Sequence, residues 1–244
     1  MSRSVLITGA SRGIGRESAK LFAQNGWKVA VNYCSSERQA LELVKELSDM
    51  GSEAIAVQGD VSDRSQVTAM AASLLKDFGE LDVLVNNAGI AQQKLFTDIT
   101  PNDWDRMFDI NIKGMFHCCQ CFLPQMIRRQ SGKIINLSSI WGLVGSSCEV
   151  HYSAAKAAVI GFTKALAKEV GPSGIQVNCV APGVITTEMN AALDADSLNA
   201  LKEETPLGIL GTPQDIAQAI YFLAESGSDF ITGQVLSPNG GFVI

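Results

Sequence analysis

Tyr152 and Lys156 stand at positions i and i+4, which on a helix puts both side chains on one face. A free tyrosine ionises near pH ~10 and is a poor general acid–base at neutrality. An ammonium beside it stabilises the phenolate and moves its pKa toward working pH. The pair is common by chance, and a solvated helix face would show it equally. Ser138-Ser139 follows the apolar run Lys133–Leu137, with Ser139 13 residues before Tyr152. A hydroxyl at the C-terminal end of a strand would hold a substrate carbonyl oxygen beside the phenol. A turn-capping serine fits Ser138 as well as Ser139. His151 adjoins Tyr152, but neighbouring helical residues face different ways, so it borders the cleft or lies outside it. Cys148 in the same loop reads as a bystander thiol.

A second constellation opens the chain. The apolar run Ser4–Thr8 leads into Gly9-Ala10-Ser11-Arg12-Gly13-Ile14-Gly15, followed by a helical pattern. Glycines there let the backbone turn tightly against a pyrophosphate, and the helix start offers free N–H groups and a positive dipole end. Gly9, Ser11, Arg12, Gly13, Ile14 and Gly15 are therefore candidate cofactor contacts. A carboxylate at the end of the second strand would hold ribose hydroxyls in an NAD site. That end reads Val31-Asn32-Tyr33-Cys34-Ser35, with no carboxylate until Glu37. Cys34 is the candidate contact in its place, and Arg12 would pair with a ribose 2′-phosphate. This points to NADP(H) over NAD(H); the alternative for Arg12 is a solvated loop charge.

These residues need a frame. Apolar runs alternate with amphipathic stretches throughout, the pattern of a parallel sheet covered by helices on both faces. Strands are expected at Ser4–Thr8, Lys28–Asn32, Ala54–Gln58, Val83–Asn86, Lys133–Leu137, Ile175–Ala181 and Gln234–Leu236. Helices are expected near Ile14–Asn25, Ser36–Met50, Ser65–Phe78, Pro101–Arg129, Tyr152–Val170 and Pro213–Ala224. The fold class is α/β, a doubly wound parallel sheet of about seven strands, in a single domain over residues 1–244. Hydrophobic residues make up 46% and charged residues 18%, which suits a sheet buried on both faces.

Bulk charge narrows the partners. A net charge of -6 and a pI near 5.0 argue against a nucleic-acid partner and against an anionic membrane surface. No signal segment or membrane span is visible, so a cytoplasmic protein is expected. Six cysteines without framework spacing read as reduced thiols. Cys118, Cys119 and Cys121 cannot converge on a metal from one helix, so no metal site is expected. Trp104, Phe108, Met115, Cys119, Phe122 and Met126 form a wide apolar stripe, and Ala154, Ala155, Ala157, Ala158 and Gly161 a small-residue one. Burial against the sheet and a two-fold subunit interface both explain them. Thr186–Pro206 is polar and alanine-rich. It reads as a lid over substrate or as packed surface helices.

Taken together the motifs resemble the short-chain dehydrogenases/reductases over nearly the whole chain. Thr8-Gly9-x-x-x-Gly13-x-Gly15 is similar to the family's cofactor loop, Asp60-Val61 to its adenine contact, and Asn86-Asn87-Ala88-Gly89 to its fourth-strand motif. Asn111, Ser139, Tyr152 and Lys156 match its catalytic tetrad, and Pro182-Gly183 with Ile185 and Thr187 its nicotinamide segment. The resemblance implies a Rossmann-like fold, a homotetramer, and cofactor contacts at Asp60, Val61, Asn87, Ala88, Gly89, Tyr152, Lys156, Pro182, Gly183, Ile185 and Thr187. It further implies hydride transfer to a carbonyl held by Ser139 and protonated by Tyr152. Lys156 would lower the tyrosine pKa and hold the nicotinamide ribose, and Asn111 would position a water that resupplies the proton.

Within the family the chain most resembles bacterial 3-oxoacyl-[acyl-carrier-protein] reductases, through Gly9–Gly15, Tyr152–Lys156 and Val177–Gly183. That makes an acyl-thioester substrate and an acyl carrier protein the expected partners. Two departures bear on the carrier: Gln130 and Ser173 stand where arginines usually sit, with Arg128, Arg129 and Lys168 near enough to substitute. Ser237-Pro238-Asn239-Gly240-Gly241 also replaces the usual Val-Asp-Gly-Gly. Three readings follow: fatty-acid ketoacyl reduction, oxidoreduction of another small-molecule alcohol or ketone (sugar, polyol or steroid), and a non-catalytic cofactor-binding regulator. The complete tetrad speaks against the last.

Overall fold

The computed structural model describes residues 2–187 and 195–244. Seven parallel strands form one sheet: β1 Ser4–Ile7, β2 Lys28–Tyr33, β3 Ala54–Gln58, β4 Val83–Asn86, β5 Gly132–Leu137, β6 Ile175–Val180 and β7 Val235–Leu236. Their order is β3-β2-β1-β4-β5-β6-β7, so the winding reverses between β1 and β4. A parallel sheet is covered on both faces, because each crossover lays a helix across it. Side-chain alternation sorts the two layers. Val5, Ile7, Val29, Val31, Val83 and Val85 face one core with Phe22, Leu43 and Ile220. Leu6, Ala30, Leu84, Ile134 and Val177 face the other with Leu74, Phe122 and Val159. The first layer is built from α1 Gly13–Gln24, α2 Glu37–Asp49 and α9 Pro213–Ala224, and the second from α3 Arg64–Phe78, α5 Gly114–Arg129 and α7 Val150–Val170.

Every expected strand is present, with boundaries moved by at most a residue. The expected single helix Pro101–Arg129 is instead α4 Pro101–Phe108, a π-helical turn Asp109–Lys113, and α5. Two short helices stand outside the expected helix ranges: α6 Ile140–Val144, which no reading anticipated, and α8 Ala195–Glu204, in the segment read as a lid or as packed surface helices. The first is only five residues, too short to show a period. The second falls in the segment read as a lid, part of which, residues 188–194, lies outside the described residues.

The apolar stripe divides. Met115, Cys119, Phe122 and Met126 are core, whereas Trp104, Phe116 and Ile127 stay exposed. Burial pushes the Cys119 thiol up to about 12, against a hydrogen bond from Asn86. Among the described residues no helix is long and apolar enough to cross a membrane.

Phe122 is fully buried beneath the sheet. Phe122→Ala should cost about 3–5 kcal/mol of stability, read as a lower denaturation midpoint in urea with an unchanged slope.

Candidate active site

The described cleft runs along the C-terminal ends of the strands, where ligands of open α/β sheets bind. It is lined by Gly9, Ser11, Arg12, Gly13 and Ile14 at one end and by Ser139, Tyr152 and Lys156 at the other. Cys34, Asp60, Val61, Asn87, Ala88, Gly89, Asn111, Pro182, Gly183, Ile185 and Thr187 line it as well. The fold therefore gathers residues from along the whole chain. Gly15 is the exception: it lies behind the turn, and a Cβ there would stand 2.7 Å from Asn87 Nδ2 and 2.8 Å from Ala10 Cα.

The glycine turn is held from beneath. Gly9 has φ +61, and a Cβ on it would stand 3.0 Å from Ala88 Cα; both favour glycine. Thr8 Oγ1 accepts from the amides of Asn87 (3.0 Å) and Ala88 (2.9 Å), and Asn87 Nδ2 donates to Thr8 O (2.8 Å). These bonds join β1 to β4 where the winding reverses. Asn32, at the end of β2, accepts from Gly9 N at 3.1 Å and donates to Gly59 O at 3.0 Å. A buried amide thus occupies the region where an acid would hold ribose hydroxyls. Arg12 is the N-cap of α1 and makes no capping bond with its side chain, leaving the first amides of the helix to face the cleft.

At the other end, Lys156 and Ser138 form a reciprocal pair. Lys156 Nζ donates to Leu137 O (2.9 Å), and Ser138 Oγ donates to Lys156 O (2.7 Å). Ser138 is thereby committed to the scaffold. Ser139 is the N-cap of α6, accepting from Trp141 N at 3.2 Å, and it lines the cleft together with Tyr152, whose ionisation it lowers. The ambiguity between the two serines is resolved by these partners.

Asn111 sits in the π turn. Its Nδ2 donates to Ile90 O and Met107 O, both at 3.0 Å, while its buried Oδ1 has no partner. A Cβ on Gly89 would lie 2.6 Å from that Oδ1 and 3.4 Å from Lys156 Nζ, so the two groups flank one small space. An unpaired buried acceptor beside an ammonium suits an ordered water.

Ionisation departs from the sequence expectation. Burial pushes Tyr152 up to about 12, opposed by the Ser139 hydroxyl and reinforced by the Glu149 charge. Burial also pushes Lys156 down to about 8. Lys156 Nζ lies 5.7 Å from the Tyr152 ring centroid and donates to Leu137 O. At neutral pH the raised phenol therefore carries its proton.

Three features escaped the sequence reading. Glu149, the N-cap of α7, is 8% exposed in the cleft. Gln93 Nε2 donates to its Oε1 at 3.3 Å. Arg106 from α4 also lines the cleft, acting electrostatically on Cys34 at the ribose end. No short-range pattern marks these residues, because each reaches the cleft from a loop or a neighbouring helix. His151 is fully buried, with Nε2 2.9 Å from Gln92 Oε1, and does not line the cleft.

The family model described as enoyl-(acyl carrier protein) reductase matches residues 9–243. The chain is 45% identical over 241 residues to the 3-oxoacyl-[acyl-carrier-protein] reductase of Staphylococcus aureus strain Mu50, covering 99% of this chain and 98% of the relative. It is 42% identical over 240 residues to the corresponding reductase of Synechocystis, covering 98% and 96% of the two. This chain belongs to the short-chain dehydrogenase/reductase family. It is an oxidoreductase acting on a CH–OH or ketone group, with a nicotinamide cofactor. Among solved structures it resembles a 3-oxoacyl-[acyl-carrier protein] reductase from Brucella melitensis (TM-score 0.93, 35% identity, 99% and 92% of the chains covered). It also resembles a putative gluconate dehydrogenase from Agrobacterium tumefaciens (TM-score 0.95, 33% identity, 99% and 97% covered).

Gly15→Val should force the turn apart at Asn87, Ala10 and Gly9 O. Nicotinamide-cofactor affinity is expected to fall more than ~tenfold, well beyond one ordinary hydrogen bond, in a fluorescence titration.

Proposed function

We propose that this chain reduces a 3-oxoacyl thioester carried on an acyl carrier protein, using NADPH, in fatty-acid biosynthesis in the cytoplasm. The observation that carries the reading is that the buried Tyr152 and Ser139 line one cleft together at the strand ends. Two hydroxyls converging there suit an oxygen on the reacting carbon, which a 3-oxoacyl group has and an enoyl group lacks. The full-length relatives named as 3-oxoacyl reductases support the same substrate.

When bound, the cofactor supplies a hydride. The chain does the rest. The glycine turn and the free amides of α1 hold its phosphates, while Arg12 and Arg106 offer cations to a ribose 2′-phosphate. Asn87–Gly89, Pro182–Gly183, Ile185 and Thr187 would border its nicotinamide end, and Asp60 and Val61 its adenine end. Ser139 donates to the substrate carbonyl, and Tyr152 gives its proton to the oxygen as negative charge develops. Lys156 holds the nicotinamide ribose and, with a water at Asn111 Oδ1, returns a proton to the tyrosine.

The carrier reading rests on fewer cations than the sequence offered. Arg129 is committed to Glu80 at 2.6 Å and Asp82 at 3.0 Å, leaving Arg128 and Lys168 exposed. A homotetramer is supported by apolar side chains left open on α4–α5 (Trp104, Phe116, Ile127) and beside the sheet-edge strand β7 (Phe230, Leu236, Ile244). The likeness to a putative gluconate dehydrogenase favours a sugar-acid or polyol substrate as the second reading.

An assay of NADPH oxidation with acetoacetyl thioester, crotonyl thioester and a polyol-derived ketone panel separates these readings. Only the first should turn over; a rate confined to the ketone panel would select the second. Tyr152→Phe should lose nearly all turnover while binding NADPH normally. With Tyr152 raised to about 12, the phenol is protonated throughout the neutral range. Reduction therefore needs no prior ionisation, whereas the reverse oxidation, which needs phenolate, should accelerate steadily with pH above neutrality. Arg12→Ala should lower the NADPH-over-NADH affinity ratio by about tenfold.

A further inference from the structure

Glu149 is a carboxylate in an unexpected place. As the N-cap of α7 it could accept from the first amides of its own helix, yet its side chain makes no capping bond. Its Oε1 takes a single long hydrogen bond, from Gln93 across the cleft at 3.3 Å. Oε2 has no hydrogen-bond partner among the described residues and is not sealed from the cleft. A largely buried carboxylate with one long protein hydrogen bond relies on cleft water for the rest of its solvation, part of which an entering substrate takes away. A donor arriving with the substrate would offset that loss. Burial also pushes the Glu149 carboxyl up, opposed only by the Gln93 bond.

The position restricts that donor. Glu149 lies one helical turn before Tyr152 and lines the same cleft. A 3-oxoacyl group itself offers no N–H or O–H in its keto form. In a pantetheine-type thioester, the first donor beyond the carbonyls is the amide N–H two methylenes past the sulfur. We propose that Glu149 is a specificity-determining residue whose carboxylate accepts a hydrogen bond from this amide, with Gln93 orienting it. The inference rests on the thioester reading above and deepens it, because it concerns the arm that carries the acyl group.

The test compares kcat/KM for two acetoacetyl thioesters in the full-length protein. One is the N-acetylcysteamine thioester, which has the amide; the other is an S-alkyl thioester of similar length without it. The native protein should prefer the amide-bearing substrate by about tenfold. Glu149→Ala should bring that ratio close to one, and Glu149→Gln, which keeps a carbonyl acceptor, should retain much of it. Any change in Tyr152 ionisation affects both substrates alike and cancels in the ratio. If Glu149→Ala does not fold, Gln93→Leu gives the same reading, with a partial loss of preference expected. A native ratio near one, or a ratio unmoved by these variants, overturns the inference and leaves thioester reduction intact. Turnover of neither thioester overturns the thioester reading and this inference with it.

Discussion

The cleft depends on one reciprocal pair of bonds. Lys156 reaches from α7 to the carbonyl that ends β5, and Ser138, just after β5, reaches back to the carbonyl of Lys156. Each element thus satisfies a polar group of the other in a place closed to water. The distance between Tyr152, one turn before Lys156, and Ser139, next after Ser138, follows from this clamp. Gly142 is part of it: a Cβ there would lie 2.7 Å from Lys156 C. No side chain larger than hydrogen fits between α6 and α7 at that point.

The same solution recurs along the sheet edge. Parallel strands end in carbonyls and amides that the ladder cannot pair, and buried amides and hydroxyls pair them instead. Thr8 and Asn87 do so between β1 and β4, and Asn32 between the ends of β1, β2 and β3. Asn86 donates to Asn136 at 2.8 Å, and Asn136 to Thr163 at 2.9 Å, carrying the network into α7. Asn136 and Thr163 are paired on both sides of this floor, while Asn86 is paired through its Nδ2. Asn111 Oδ1, buried without a partner, belongs to a residue that lines the cleft.

The π turn shows how local chemistry overrides helical periodicity. Residues 101–129 read as one helix because apolar residues recur at the right step on both sides of Asp109–Lys113. The widened turn places the Asn111 amide against Ile90 O and Met107 O. Gly114, at the start of α5, packs where a Cβ would stand 2.6 Å from Val61 Cγ2. Such turns are a common way to re-aim a side chain at a site.

The sequence by itself determined the alternating strands and helices and the glycine turn after β1, and its family resemblance singled out Asn111, Ser139, Tyr152 and Lys156, which the fold brings to one cleft. These are legible because period, glycine placement and short spacing are local properties. It also determined that no carboxylate ends β2. Only the tertiary structure decided that Ser138 is scaffold while Ser139 lines the cleft with the tyrosine, that His151 is packed away, and that Arg129 is spent on Glu80 and Asp82. Only the fold could decide that Tyr152 is buried, which pushes its ionisation up. It likewise brought Glu149, Gln93 and Arg106 into the cleft. Desolvation and partner choice depend on which distant segments come to lie together, and neither is written in the spacing of residues along the chain.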